Sequence, residues 1–170
     1  MTDTIVCRPV GTIRSEHRIP EETPVQPEFA KGCAGRAEVF PEYEEGLRDI
    51  ETFSHLILLY SFHKAGDPEL IIKPFLDDVP RGIFATRHPS RPNRIGLSVV
   101  RLIRREGPVL ILEDVDVLDG TPIIDIKPYV PRFDAPGNAT GGWTDTIDPR
   151  KARQRGRRMY GSREILQKKK

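Results

Sequence analysis

Two stretches of this 170-residue chain carry side chains in patterns that can do chemistry. Residues 84–96 read Phe-Ala-Thr-Arg-His-Pro-Ser-Arg-Pro-Asn-Arg-Ile-Gly, so Pro89, Pro92 and Gly96 restrict a backbone from which Arg87, Arg91 and Arg94 project. An arginine on a stiffened loop loses little entropy when its planar fork grips a carboxylate or phosphate through parallel hydrogen bonds. The loop is therefore either an anion site or a surface segment whose arginines pair with nearby acids. The second stretch is Asp114–Tyr129. Asp114 and Asp116 alternate and are expected on one face of a strand, Asp119-Gly120 reads as a tight turn, and Asp125 and Lys127 again share a face. Charges set among Val, Leu and Ile are costly unless paired or used. For Asp125 and Lys127 an ion pair on a solvated strand face is the plain alternative.

Other chemistries have little support. His17, His55, His63 and His88 stand singly, with no HExxH, and Cys7 and Cys33 have no CxxC spacing, so no metal is expected. Reduced thiols of a cytoplasmic protein are the simplest reading. There is neither a GxGxxG nor a P-loop, so a nucleotide would be held without a standard glycine loop. The longest uncharged apolar stretch lies within Leu56–Phe62, far short of a bilayer span, and Met1–Thr4 lacks the basic start of a signal peptide.

Charge is segregated. Ten of the 27 basic groups but one of the 25 acids fall in residues 150–170, leaving 17 against 24 in the rest. An acidic body thus carries a cationic tail, either solvated or following phosphates.

The elements that must position these groups are mostly strands. Cys7–Ser15, Gly35–Phe40, Ser54–Phe62, Leu70–Phe75, Gly82–Thr86, Gly96–Arg105, Pro108–Leu118 and Ile123–Tyr129 all show strand patterning, and Glu106-Gly107 marks a hairpin. Pro41–Phe53 reads as a short helix, with an initial proline, acids in its first turn, and Leu47, Ile50 and Phe53 spaced by three. The proline-rich segment His17–Gly32 and the glycine-rich segment Asp134–Pro149 read as loops. Trp143, in the second, is either an anchor for the tail or a platform for a base. The fold expected is mainly β, an antiparallel barrel or sandwich with one or two short helices. The barrel occupies 1–133, a linker 134–149 and a basic extension 150–170.

Four segments, "PVGTIRSEH…PVQP", "GLRDIETFSHLILLYSFHK", "ATRHPSRPNRIGLSVV" and "DVLDGTPIIDIKPYVP", arrive in that order between Val10 and Phe133. Together they closely resemble the TsaA-like, TrmO-type proteins. The resemblance implies a single-sheeted antiparallel β-barrel that binds S-adenosyl-L-methionine and methylates tRNA. The acceptor implied is N6 of N6-threonylcarbamoyladenosine, beside the anticodon. It also implies a homodimer with the cofactor near the subunit contact. Carried onto this sequence, the cofactor contacts are Val25, Gln26 and Pro27, then His63 and Lys64, Arg87, Leu97, and Glu113, Asp114, Val115 and Asp116. Two other readings stay open, a non-catalytic RNA-binding adaptor and a methyltransferase of the same fold with another acceptor.

The acceptor nitrogen belongs to a urea-like group whose lone pair is delocalised, so a base must take its proton. Asp125 is the expected base, with Lys127 and Tyr129 beside it, and Asp119 is nearly as good. Arg91 or Arg94 is expected to grip the threonyl carboxylate of the substrate.

Overall fold

Alternation of apolar and polar residues gives each strand one face for a shared interior. The computed structural model describes residues 4–158. In it six strands close into a barrel: β1 (Gly11–Ser15), β2 (Ala34–Val39), β3 (His55–Ser61), β6 (Ile95–Glu106), β7 (Val109–Glu113) and β8 (Thr121–Pro128). The order round the barrel is β1-β2-β7-β6-β3-β8, with every neighbouring pair antiparallel. This is the mainly-β, single-sheeted architecture that the sequence leads one to expect. The short strands β4 (Ile71–Ile72) and β5 (Arg81–Gly82) pair separately outside it. Among the described residues no helix is long and apolar enough to cross a membrane.

Ile13, Leu56, Leu58, Val100, Leu110 and Ile123 point inward and are fully buried. The closing seam is brief, with Gly11–Ile13 of β1 lying against Thr121–Ile123 of β8. Gly11 permits the close approach of β2, because a Cβ there would meet the Glu38 carbonyl oxygen at 2.5 Å. The β6–β7 hairpin turns where expected, with Gly107 at φ 59°.

Four expected elements differ. Pro41–Phe53 is two 3-10 turns, Pro41–Leu47 and Ile50–Thr52, with Asp49 left-handed at φ 65° between them. Spacing by three suits three residues per turn better than 3.6, and Leu47, Ile50 and Phe53 do reach the core. Leu70–Phe75 and Gly82–Thr86 contribute only the two-residue strands, and Ile83–Ala85 curls into another 3-10 turn. Pro108–Leu118 stops pairing at Glu113, since Asp114 takes a left-handed backbone at φ 63°.

The basic extension begins as a helix. Asp148 caps α2 (Pro149–Arg157), α1 being the single turn Pro131–Asp134. The Asp148 carboxylate accepts from the Arg150 and Lys151 amides at 2.8 and 3.1 Å. Gly156 then seats α2 against Phe29, where a Cβ would lie 2.3 Å from the ring, and its carbonyl accepts from the Val25 amide at 3.0 Å. Residues 159–170 of the basic tail lie outside the described residues.

Gly96 faces Tyr60 across the β3–β6 ladder, and a Cβ at Gly96 would lie 2.2 Å from the tyrosine ring. Gly96→Ala is expected to lower stability by about 1–3 kcal/mol, the usual cost of overpacking, as a reduced urea midpoint at unchanged slope.

Candidate active site

The registers place the ends of β1, β3 and β7 and the starts of β2, β6 and β8 at one rim of the barrel. The proline loop, the arginine loop and the segment 114–120 therefore meet there. Between them lies a cavity of about 560 Å³ whose walls include Phe62, Phe75, Ile95 and Leu97. Asp116 is the one carboxylate among its described lining residues, facing Lys64, Arg87, Arg91 and Arg158 around the same space.

Asp116 is 7% exposed. Its Oδ1 accepts from the Ser98 hydroxyl at 2.6 Å, and Ser98 Oγ lies 3.0 Å from the Tyr60 hydroxyl. Ser98 has one proton and gives it to the carboxylate, so Tyr60 donates to Ser98. Burial pushes the Asp116 carboxyl up to about 7, an effect that the Ser98 hydrogen bond and the charge of Arg87 only partly oppose. Burial also raises the Tyr60 phenol, which stays protonated. A carboxyl in a cleft with its proton affinity moved close to neutrality is suited to proton transfer.

His63 Nδ1 lies 3.3 Å from Thr121 Oγ1, whose own proton goes to the Leu118 carbonyl at 2.7 Å. Nδ1 therefore carries the hydrogen and Nε2 is left as an acceptor. Burial first, and Lys64 second, hold this imidazole below its ordinary pKa and thus neutral at pH 7. Arg87 Nη1 donates to Gln26 Oε1 at 2.7 Å, fastening the arginine loop to the proline loop. Arg91 Nη1 donates to the Thr86 carbonyl at 3.0 Å, which steadies its fork. Arg158 stands 3.9 Å from the Phe75 ring centre and donates to the Pro20 carbonyl at 2.9 Å. His88 stacks on the same phenylalanine at 4.6 Å.

The cavity thus brings together Val25, Gln26, His63, Lys64, Arg87, Leu97 and Asp116, with Arg91 in its wall. Other nominated residues go elsewhere. Pro27 opens the 3-10 turn Pro27–Phe29. Glu113 pairs with Arg101 on the barrel exterior. Asp114 and Asp116 do not share a strand face: the left-handed turn at Asp114 sends its carboxylate to the Gly32 amide at 2.8 Å. Val115 is fully buried in the core. Arg94 accepts the Phe62 amide with its carbonyl at 2.8 Å, and its side chain approaches Asp67 at 3.9 Å.

Asp125 and Lys127 form a 2.6 Å ion pair, their side chains 43% and 58% exposed, and Asp125 also accepts from the Ile126 amide at 2.9 Å. Tyr129 packs edge-on to His55 at 6.4 Å. None of the three lines the cavity, because β8 carries them away from the rim. Asp119 is a turn residue that holds the Ser15 amide at 3.0 Å and Arg18. Trp143 is an anchor: its Nε1 donates to the Ala85 carbonyl at 2.7 Å, and Arg81 lies 4.4 Å over its ring.

The sequence reading missed Ser98, Tyr60, Phe62, Phe75 and Arg158. Ser98 was the detectable one, a hydroxyl in the inward phase of an otherwise apolar strand. Arg158 reaches the cavity only through the seating of α2, which nothing local announces.

The sequence profile of the tRNA-methyltransferase O N-terminal domain matches residues 12–135. This chain belongs to the tRNA-methyltransferase O family. Among relatives of the family, a probable S-adenosyl-L-methionine-binding protein from Pyrococcus abyssi is 51% identical over 142 residues, covering 83% of this chain and 77% of that protein. The human tRNA (adenine(37)-N6)-methyltransferase is 37% identical over 144 residues, covering 81% of this chain but 33% of the human one. The crystal structure of TrmO from Pseudomonas aeruginosa superimposes with a TM-score of 0.70 at 40% identity, over 86% of this chain and 64% of that one. This chain thus spans a third of the human relative's length and just under two thirds of that TrmO chain.

Because the folded pKa of Asp116 lies above the ordinary carboxylate value, the fold favours the protonated form. Its contribution to stability is complete below about pH 4 and is lost as the pH rises through about 7. Urea unfolding of the parent and of Asp116→Asn across pH 4–8 checks this. The parent is expected to lose stability relative to the variant as the pH rises.

Proposed function

We propose that this chain is an S-adenosyl-L-methionine-dependent tRNA methyltransferase that methylates N6 of the adenosine at position 37 in its threonylcarbamoylated form. It acts in the cytoplasm as a homodimer. The observation that carries the reading is the cavity itself, where a single buried carboxylate faces apolar walls and four basic side chains. Family membership supports it, and so do the relatives named as methyltransferases and S-adenosyl-L-methionine-binding proteins.

The residues present fit the cofactor. Leu97 and Phe62 offer apolar surface for an adenine, while Gln26, held to Arg87, and the free Nε2 of His63 offer polar partners. Bound S-adenosyl-L-methionine supplies an electrophilic methyl group. The protein's own part is orientation and removal of a proton. Asp116 takes that proton at Oδ2, since Oδ1 is committed to Ser98. It replaces Asp125 in this role, because Asp125 lies outside the cavity and is already paired.

Arg91 recognises the threonyl carboxylate. Its Nη1 is fixed by Thr86, so its remaining N–H groups are already oriented. Leaving such a cation desolvated and unpaired disfavours plain adenosine as acceptor. Lys64 and Arg158 add positive field for the RNA backbone. Ile95 and Leu97, each 42% exposed beside the cavity, support a subunit contact there.

The decisive measurement is mass spectrometry of tRNA nucleosides after incubation with the cofactor. A methyl gained on N6-threonylcarbamoyladenosine is expected, and no methylated nucleoside would refute the activity. Arg91→Ala is expected to slow methylation of the carbamoylated tRNA by about 10–100-fold, the value of a charge-assisted hydrogen bond. The same rate in that variant would remove Arg91 from selection. With Asp116 as base, kcat is expected to rise with pH and level off above about 7. A flat profile would exclude Asp116.

A further inference from the structure

The proline loop begins and ends on residues that the methyl-transfer reading does not use. Glu16 and His17 follow β1, Cys33 precedes β2, and the fifteen residues 18–32 lie between them. The fold brings these two ends together. A carboxylate oxygen of Glu16, a ring nitrogen of His17 and Cys33 Sγ all lie within 4.8 Å of one another.

His17 supplies a second, independent sign. It is 3% exposed, and its Nε2 lies 2.7 Å from the Val115 carbonyl oxygen, so Nε2 carries the hydrogen. Nδ1 is left with a lone pair, buried and without a hydrogen-bond partner among the described residues. A polar atom in that state is costly. An imidazole that donates one N–H to a backbone carbonyl and presents its other nitrogen bare is oriented as metal-bound histidines are.

We propose that Glu16, His17 Nδ1 and Cys33 bind a borderline-soft divalent cation of the zinc type, clipping the two ends of the proline loop together. Burial and a hydrogen bond to Glu16 push the Cys33 thiol up to about 12, so binding releases its proton to solvent. The imidazole, thiolate and carboxylate that result favour zinc over magnesium or calcium, which prefer all-oxygen shells. Ligand atoms around tetrahedral zinc stand about 3.5 Å apart. The three groups therefore close by about 1 Å at most, through rotation of the exposed Glu16 side chain and of the half-buried Cys33 side chain towards the fixed imidazole. A fourth position is left for water.

The clip has a consequence for the cavity. Val25 and Gln26 line it from the loop so closed, and Val115, which holds His17, is the neighbour of Asp116. The cation would shorten the free length of the loop and reduce the conformations open to those residues. It takes no part in methyl transfer, and the site stands whether or not that activity does.

The test uses the full chain carrying Cys7→Ser, stripped with a chelator, with cobalt as the optical probe and zinc as the stabilising one. One equivalent of cobalt is expected to give a sulfur-to-metal charge-transfer band that zinc displaces. Zinc but not magnesium is expected to raise the Tm. Adding Cys33→Ser is expected to abolish both effects while leaving the metal-free Tm close to that of the parent. Glu16→Gln, at an exposed position, is expected to weaken cobalt binding about tenfold or more. Absence of the band overturns the proposal, and so does a zinc-induced Tm rise that survives in Cys33→Ser. Unchanged cobalt affinity in Glu16→Gln removes the carboxylate from the site and overturns the three-ligand form.

Discussion

Closure of the sheet is the constraint on which everything else depends. Three residues at each side of one seam, Gly11–Ile13 and Thr121–Ile123, join the first strand to the last. Without that pairing the loops leaving β1, β3 and β7 would hang from an open edge and share no common space. With it, segments remote in sequence surround one cavity. A barrel also leaves no unpaired strand edge among its members, and its interior is filled by side chains such as Leu56, Leu58 and Val100. Function is thereby confined to a rim.

Within that rim a polar chain runs from the core outward. Tyr60 donates to Ser98, and Ser98 donates to Asp116, the three coming from β3, β6 and the segment after β7. Each hydroxyl removes part of the cost of burying the next group, yet the carboxylate is still less well solvated than in water. That residual cost gives Asp116 its unusual proton affinity. Gly96 belongs to the same device, since only a residue without a side chain leaves room for the tyrosine ring that starts the chain.

Period-two patterning made the strands legible, and the Glu106-Gly107 turn fixed their hairpin. Boundaries were less legible where backbone conformation, not hydrophobicity, decides. Nothing in the alternation of Asp114 and Asp116 reveals that Asp114 turns left-handed to hold the Gly32 amide, yet this one residue separates the two carboxylates. Leu47, Ile50 and Phe53 do face the core, but their spacing by three belongs to a tighter turn than the α-helix expected there. Of the nominated site residues, Val25, Gln26, His63, Lys64, Arg87, Arg91, Leu97 and Asp116 meet at the cavity, whereas Asp125 and Lys127 pair on the outside of β8 and Tyr129, just beyond that strand, packs against His55. The segments that carry the family motifs include most of the cavity's lining. Which side chain of a motif turns inward is settled by strand phase, and Arg158 by long-range docking of α2 that no local pattern encodes.

Trp143 is the sole tryptophan of the chain, fixed by its indole N–H to the Ala85 carbonyl with the Arg81 guanidinium across its face. The protein therefore contains a single indole fluorophore, excitable to the red of its four tyrosines and wired to the very loop that presents Arg87 and Arg91. Any shift of that loop alters the polarity and the quenching charge around the indole. Emission colour and lifetime then give a label-free optical gauge of loop position, with no second tryptophan to blur the signal.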